Sequence, residues 1–457
     1  MQVFNKKQIP WLLLFLVQLG FLVFGLETKH IYTADSAEYL HQAENIFHEG
    51  STYCGDPTIE PREPPLYSRR PPGYGTFILL SSFFLTIPYL TLFFQCLLSV
   101  FNLYIGYRIL RLIRPEIKPT GLYLAAVLFA PSQFIYAVHY MNEIPFQTCL
   151  LLGLYYLLRF EQHDGKISEL YKHHLCIIGC YLIKPVAMFL WIFSILHVIL
   201  TKKDTKATVE LSLLSTLHLL IIGGTMWYNY YRVGIAEYSS IGHKLFINYN
   251  LPALLNNLYG PEKAAYIVDS LQTEMSTESY PIQAAIADQF IRDEISNHPL
   301  NYFTVHVKGM LFFITDIGRW DVELMRKGRV FVEQLPSLTK KYKSGGASAV
   351  LDYFREWNPL YLLYFALSII SLAFVLVLFI QQLLFNRTNR SFIYLVAGIA
   401  LYFAFLTGPS GSARFRVPVY PLIVAIAAGA IADYRRKIAN SEQEPQSTLP
   451  ATELPNG

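Results

Sequence analysis

Charged residues are scarce in this chain of 457 residues: Asp, Glu, Lys and Arg make up 15% of it, whereas hydrophobic residues make up 53%. A soluble globular protein carries about 25% charged residues. This shortage of charge excludes an intrinsically disordered chain and an ordinary cytosolic enzyme. The composition instead indicates a polytopic membrane protein.

Cysteine is also rare, and its pattern excludes two kinds of stabilisation. The chain has five cysteines, and all except Cys54 lie in apolar segments. Their spacing matches neither a zinc site nor a disulfide framework, so we predict no metal site and no cofactor, although a divalent cation stays open. On this pattern, Cys54 should be the one cysteine that a membrane-impermeant reagent labels from outside.

The chain lacks the two common sequence patterns that bind phosphates of soluble ligands. It has no basic block with interleaved aromatic residues, which argues against nucleic acid as a partner. It has no glycine-rich phosphate loop, which argues against a soluble nucleotide. A phosphate bound by this chain would more naturally belong to a lipid.

Apolar stretches of membrane-spanning length recur along the chain, and they predict an all-α polytopic membrane protein with about ten transmembrane helices. The expected spans are 8–26, 88–110, 119–142, 144–158, two short helices within 173–201, 211–231, 357–386, 391–413 and 417–432. The two short helices should turn at Lys184-Pro185, because a lysine at mid-bilayer is costly. Segment 73–87 is expected to be an interfacial or re-entrant helix.

The distribution of Lys and Arg sets the orientation. The basic clusters that flank the expected spans all fall on one side, so both termini should be cytoplasmic. This gives an N-terminal membrane region 1–231 with a first outer loop at 27–87, a mostly helical outer segment 232–356, C-terminal spans within 357–437 and a disordered cytoplasmic tail at 438–457. Interfacial helices are expected in the first outer loop.

Asp35 opens the predicted helix of the first outer loop. Asp35 with Glu38 three residues on has the spacing of a capping box, which is the structural explanation for its presence. The functional explanation is a carboxylate held at the membrane interface, where it takes a proton from an acceptor hydroxyl. The two are compatible, since a helix N-terminus also fixes a carboxylate in place.

Cations collect on the same predicted outer face. Arg70 ends the first outer loop, Lys184 lies at the hairpin turn, and Arg414 and Arg416 precede the last span. Snorkelling and contacts with lipid headgroups are the structural explanation. A clamp on a phosphate is the alternative, since guanidinium groups bind phosphate oxygens in a bidentate fork.

Two further polar residues, His139 and Glu143, lie at the outer end of an expected span. A carboxylate at such a rim is a functional candidate, although Glu143 could also be a solvated loop charge. Carboxylates facing cations suit a reaction between a hydroxyl nucleophile and a phosphorylated leaving group.

Short motifs in a fixed order resemble the GT-C superfamily of glycosyltransferases, in the bacterial branch related to protein mannosyltransferases and aminoarabinose transferases. The motifs are Thr33-Ala34-Asp35-Ser36-Ala37-Glu38-Tyr39, Arg70-Pro71-Pro72-Gly73-Tyr74, Asn142-Glu143, Lys184-Pro185, Trp227-Tyr228-Asn229 leading to Tyr238-Ser239-Ser240-Ile241-Gly242, and Arg414-Phe415-Arg416-Val417-Pro418. Relatives often have two adjacent acids in the first motif, whereas Ser36 follows Asp35 here.

The resemblance implies transfer of a sugar from a polyprenyl-phosphate donor to an acceptor hydroxyl of a glycan, lipid or protein. The reaction would be inverting and would take place on the periplasmic face of a bacterial inner membrane. Asp35 would be the general base. The remaining site residues are assigned to the donor phosphate (Lys184, Arg414, Arg416) and to substrate binding (Arg70, Tyr74, Glu143, Tyr39, His139).

Two other classes of protein stay as alternatives. A polymerase or ligase for pyrophosphate-linked glycans would also be polytopic with an arginine-rich outer loop, but its main loop should lie late in the chain. A transporter of lipid-linked sugars would have charges along a pore and internal repeats, whereas the expected spans are nearly free of charge and no repeat is visible.

Overall fold

The structure, a computed structural model, describes residues 8–115, 120–162, 166–201, 205–330, 337–386 and 389–443. These residues form helices and no strands. In chain order the α-helices are α1 Ile9–Thr28, α2 Ser36–Glu49, α3 Pro65–Ser68, α4 Gly73–Ser81, α5 Leu90–Ile113, α6 Thr120–Leu128, α7 Pro131–Tyr136, α8 Glu143–Gln162, α9 Ile167–Ile183, α10 Leu190–Thr201, α11 Thr205–Val233, α12 Ile241–Leu245, α13 Leu251–Tyr259, α14 Pro261–Ser276, α15 Tyr280–Asn297, α16 Pro299–Thr315, α17 Arg319–Lys327, α18 Leu338–Arg355, α19 Pro359–Phe385, α20 Arg390–Thr407, α21 Ala413–Arg416 and α22 Tyr420–Gln443. Short 3₁₀ or π turns occupy Pro185–Ala187, Phe246–Asn250 and Gly408–Ser410.

Within the described residues, five stretches of helix are long and apolar enough to cross a membrane. They are Ile9–Thr28, Leu90–Ile113, Val209–Val233, Pro359–Phe385 and Arg390–Ser410. Two shorter apolar stretches, Pro185–Thr201 and Tyr420–Ile431, accompany them. The chain is therefore an all-α polytopic integral membrane protein.

The expectation of one continuous span over 119–142 is wrong. The chain forms α6, leaves helical geometry at Ala130 (φ −111°, ψ 81°) and re-enters a short helix with Pro131 at its first turn. The residue before a proline is disfavoured in helical geometry, because the proline ring clashes with its backbone. The break turns residues 137–142 inward, where Tyr140 and Asn142 are buried.

The segment expected to turn at Lys184-Pro185 does form two helices. Helix α9 ends at Ile183, Lys184 is extended (φ −142°, ψ 120°), and α10 begins at Leu190. Gly73 at the start of α4 lies directly against this turn: a Cβ on Gly73 would be 2.5 Å from the Leu182 carbonyl oxygen. This close approach brings the end of the first loop next to Lys184.

A buried polar network ties the membrane helices to the turn that carries Arg414. The Gln147 side chain in α8 donates to the Val417 carbonyl oxygen at 2.5 Å. The same amide exchanges hydrogen bonds with Gln133 in α7 and accepts one from Asn102 in α5. Buried side-chain amides fix relative positions because an unsatisfied polar group in an apolar core is costly. The network fixes the chain just after Arg414.

The 232–356 segment is mainly helical, and α13, α14 and α15 form their own small core. Helix α16 connects this core back to the membrane region at Gly309, whose Cβ would be 2.0 Å from the Gly408 carbonyl oxygen. In the tail, α22 continues to Gln443, beyond the expected start of disorder at residue 438. Residues 444–457, where the rest of that tail is expected, lie outside the described part of the chain.

Candidate active site

Asp35 occupies the N-cap position of α2, but its carboxylate makes no capping hydrogen bond. The capping-box interpretation is therefore wrong for the side chain. The carboxylate instead accepts from two arginines that are distant in sequence: Oδ1 lies 2.8 Å from Nη2 of Arg70, and Oδ2 lies 2.8 Å from Nη2 of Arg414. Because two arginines bind this one carboxylate, Asp35 acts as part of an ionic cluster and not as a helix cap.

Arg70 extends the ionic contacts along α2. Its guanidinium also binds Glu38, with Nη2 at 2.6 Å from Oε2, and it lies 4.8 Å from the centre of the Tyr39 ring. Asp35, Glu38 and Tyr39 fall on one side of the helix start, since residues three or four apart share a helix face. Lys244, from α12 in the 232–356 segment, binds the other oxygen of Glu38 at 2.7 Å.

Glu143 anchors the opposite end of the site. Its side chain is fully buried, and one oxygen, Oε1, accepts from Lys184 Nζ at 3.0 Å and from Arg414 Nε at 2.6 Å. Glu143 is the first residue of α8, where the helix dipole favours a negative charge. Its second oxygen is buried and has no hydrogen-bond partner.

These contacts form one ionic chain that alternates in sign. In order, it consists of Lys244, Glu38, Arg70, Asp35, Arg414, Glu143 and Lys184. The chain has four cations and three carboxylates and therefore carries one excess positive charge when all groups are ionised. An excess positive charge in a partly buried site favours a ligand with one negative charge.

The electrostatic environment keeps the outer carboxylates ionised. Burial raises the pKa of the Asp35 carboxyl, but the charges of Arg70 and Arg414 outweigh it and hold that pKa well below its usual range. At Glu38, burial likewise raises the pKa, and the charges of Arg70 and Lys244 outweigh it and lower the net value. Both groups are therefore anions at neutral pH.

The backbone around Arg414 is held by the loop between α16 and α17. The Asp316 carboxylate accepts from the Ala413 backbone N–H at 2.8 Å. The Arg414 guanidinium lies 5.9 Å from the centre of the Tyr136 ring, and the Tyr136 hydroxyl donates to buried Asp321 at 2.6 Å. Burial, reinforced by the charge of Asp316, raises the pKa of the Asp321 carboxyl to about 6.

Arg416 does not join Arg414. Its guanidinium points away from the ionic chain and donates to the backbone carbonyls of Phe313, Ile314 and Asp316 at 2.8, 2.6 and 2.5 Å. The last carbonyls of a helix have no partner within the helix, so Arg416 caps the C-terminal end of α16. The sequence predicts that Arg414 and Arg416 bind one phosphate together. In the structure, the two arginines contact different partners.

Three other predicted residues lie behind the ionic chain. The Tyr39 hydroxyl accepts from Arg70 at 3.2 Å, whereas the Tyr74 hydroxyl donates to Gln95 at 2.5 Å. The His139 Nδ1 bonds the Ile135 carbonyl oxygen at 2.7 Å; because a carbonyl only accepts, Nδ1 carries the proton. The other His139 nitrogen is buried without a partner.

Sequence reasoning missed two members of the site. The sequence predicts Glu38 only as the partner of Asp35 in a capping box, although the spacing of the two already places both carboxylates on one helix face. Lys244 lies two residues beyond the Tyr238–Gly242 motif, and no sequence signal connects it to the first outer loop. Among the described residues, no group of three or more His, Cys, Asp or Glu side chains could hold a metal ion.

The structure bears on the prediction that Cys54 is labelled from outside. The side chain is 1% exposed, and burial raises the pKa of its thiol to about 12. We therefore expect little reaction of Cys54 with such a reagent, because the thiolate is the form that reagents attack.

Comparisons with known proteins give a limited answer. No protein-family model matches the chain, and no curated protein matches it. The chain is similar to a solved structure of ArnT from Cupriavidus metallidurans bound to undecaprenyl phosphate, with 13% identity, coverage of 96% of this chain and 82% of that chain, and a TM-score of 0.39. For the same protein in the apo state, identity is 12%, coverage is 97% and 82%, and the TM-score is 0.38. Scores this low do not by themselves establish a shared fold.

Proposed function

We propose that this protein is an integral membrane glycosyltransferase of the GT-C type. It moves a sugar from a polyprenyl-phosphate donor to an acceptor hydroxyl, with inversion at the sugar carbon. The single observation that carries the proposal is the ionic chain around Asp35, in which three carboxylates alternate with four cations next to the membrane helices.

Asp35 is the general base of the proposed reaction. The acceptor hydroxyl attacks the anomeric carbon while its proton passes to the carboxylate, so that the bond from the sugar to the phosphate oxygen breaks. Arg414 and Lys184 stabilise the charge that develops on the leaving phosphate, since fixed cations in a partly dry site act strongly on a transition state. Glu143 holds both cations in place.

The charge of the site favours a monophosphate donor over the pyrophosphate of a polymerase or ligase. The ionic chain carries one excess positive charge, which a phosphodiester with one negative charge neutralises. When the proton moves to Asp35, the site loses one negative charge and the leaving phosphate monoester gains one. The total charge then stays balanced through the reaction, whereas a pyrophosphate would bring surplus negative charge.

The proposed active site lies on the outer side of the membrane. Asp35 lies soon after the first span, and Lys184 lies at the turn between α9 and α10. With the termini cytoplasmic, this side of the membrane is the periplasmic side of a bacterial inner membrane. The partners would be the lipid-linked donor, membrane lipids and a glycan, lipid or protein acceptor.

The test is transfer by the purified chain in liposomes. A panel of synthetic polyprenyl-phosphate sugars labelled in the sugar is supplied with a membrane extract as the acceptor source. We expect label to leave one donor and enter the extract, and Asp35→Asn to reduce the rate by about 10²–10⁴-fold.

The matched control is Glu49→Gln, at the other end of α2, where the carboxylate pairs with Arg62 outside the ionic chain. This variant should keep the rate of the natural protein. Consumption of no donor in the panel, or near-normal turnover by folded Asp35→Asn, would contradict the proposal.

A further inference from the structure

Both oxygens of the Asp35 carboxylate accept hydrogen bonds from arginines. We propose that the donor phosphate frees this base: it takes Arg414 away from Asp35, and only then can Asp35 accept the proton of the acceptor hydroxyl. This inference rests on the proposed function and adds an obligatory order, with donor before acceptor.

Among the ion pairs that Asp35 and Arg414 make, the contact between the two is the one that can open. These two side chains are 22% and 21% exposed, whereas Arg70 is 8% exposed and Glu143 is fully buried. An entering phosphate therefore meets the Asp35–Arg414 pair before it meets the pairs deeper in the site.

Arg414 is suited to exchange one partner without losing its place. Its Nε is bound to Glu143 at 2.6 Å, and its Nη2 is bound to Asp35. A guanidinium offers several donors in a fixed plane, so the outer nitrogens can turn to a phosphate while Nε stays on Glu143. Glu143 is thus a positioning residue that holds Arg414 during the exchange.

Asp35 also keeps its place after the exchange. Its Oδ1 remains on Arg70 at 2.8 Å, and Oδ2 becomes free. The phosphate neutralises the Arg414 charge, which raises the basicity of the carboxylate, because an opposite charge within about 4–6 Å favours its ionised form. The donor therefore converts Asp35 from an ion-pair partner into a base with one open oxygen.

The transfer of the sugar then proceeds in one step. The acceptor oxygen forms a bond to the anomeric carbon, and its proton moves to Oδ2 of Asp35. The bond between that carbon and the phosphate oxygen breaks, and its electron pair leaves with polyprenyl phosphate, which Arg414 and Lys184 retain. Without donor, an acceptor hydroxyl meets an oxygen that Arg414 already occupies.

The experiment measures the dissociation constant of a synthetic polyprenyl phosphate without sugar, using the purified full chain in detergent. The variants are Asp35→Asn and, as a matched control, Glu38→Gln. Each removes one negative charge from the ionic chain, but Glu38 contacts Arg70 and Lys244 and makes no contact with Arg414 among its described ion pairs.

If the phosphate displaces Asp35, the Asp35→Asn protein no longer has to break that ion pair. We expect it to bind polyprenyl phosphate about 10-fold more tightly, which corresponds to about 1.4 kcal/mol. The Glu38→Gln control should stay within about 3-fold of the natural protein, because only long-range charge changes. If Asp35→Asn does not fold, Asp35→Ser replaces it, since serine is also a good N-cap residue.

Equal or weaker binding by the Asp35 variant, or an equal gain in the Glu38 variant, overturns the exchange while leaving the proposed function intact. Absence of polyprenyl phosphate binding by the natural protein overturns the proposed function itself. The two failures are therefore distinguishable.

Discussion

Arg416 offers the sharpest test of what the structure adds to the sequence. The Arg414-Phe415-Arg416 motif predicted two arginines on one phosphate, whereas the Arg416 side chain is 7% exposed and caps α16. Replacing it by alanine leaves the carbonyls of Phe313 and Ile314 without a donor. We therefore expect Arg416→Ala to act on stability.

The expected magnitude follows from the lost contacts. A buried carbonyl oxygen that loses its donor lowers the free energy of unfolding by about 1–3 kcal/mol. Removing the buried guanidinium charge offsets part of this loss. We expect Arg416→Ala to lower the free energy of unfolding by about 2–4 kcal/mol. Arg416→Lys should lose an intermediate amount, because one ammonium cannot reach all three carbonyls in the same geometry.

The assay combines thermal unfolding of the detergent-solubilised protein with donor Michaelis constants of the folded fraction. For Arg416→Ala we expect a lower unfolding temperature and a donor constant within about 3-fold of the natural value, since no phosphate contact is lost. Arg414→Lys is the comparison: it should be nearly as stable but impaired with the donor. A normal unfolding temperature together with a strongly raised donor constant for Arg416→Ala would refute the capping role and restore the phosphate clamp.

Three further predictions concern the surroundings of the site. Gly73→Ala should lower both the stability of the protein and the rate of transfer. The new Cβ would lie 2.5 Å from the Leu182 carbonyl oxygen and force the first loop away from the Lys184 turn. An unfolding temperature and a transfer rate that match those of the natural protein would contradict this close approach. Burial raises the pKa of the Asp321 carboxyl to about 6, so the folded protein favours the protonated carboxyl. The stability that this protonation contributes is fully present below about pH 4 and is lost as the pH rises through 6. Unfolding temperatures at pH 5 and pH 8 should therefore differ less in Asp321→Asn than in the natural protein, and an unchanged difference would show that the carboxyl titrates normally. Ile59 lies in the first outer loop and is 62% exposed. We expect Ile59→Cys to react with a membrane-impermeant maleimide in intact cells, whereas buried Cys54 should not react. Labelling at position 59 only after permeabilisation would place the loop on the cytoplasmic side.

Local sequence predicted most of the helices because their causes are local. The first span was expected at 8–26 and is found at Ile9–Thr28, and the span expected at 357–386 is found at Pro359–Phe385. Both are long apolar runs without an internal proline, so length and hydropathy are enough. The break before Pro131 was missed, although its cause is also local, because the run of apolar residues concealed it.

Individual site residues could be selected from sequence, but their partners could not. Asp35, Arg70, Lys184 and Arg414 stand out because charges are rare beside membrane helices. Arg414 and Arg416 look alike in sequence, and only their different neighbours separate an ion-pair residue from a helix cap. Spacing says nothing about which way a side chain points when the backbone between the two is a short turn.

The sequence by itself determined an all-helical membrane protein and the set of rare charges at one end of its spans, since hydropathy and charge act through composition alone. The tertiary structure decided how those charges pair. Lys244 reaches Glu38 across 206 positions of the chain, and Arg414 reaches Asp35 across 379. Contacts of that range depend on how the helices pack and on where glycines let backbones touch, which no local pattern records. The alternating order of the ions, and with it the pairing of Asp35 with two arginines, exists only in the folded chain.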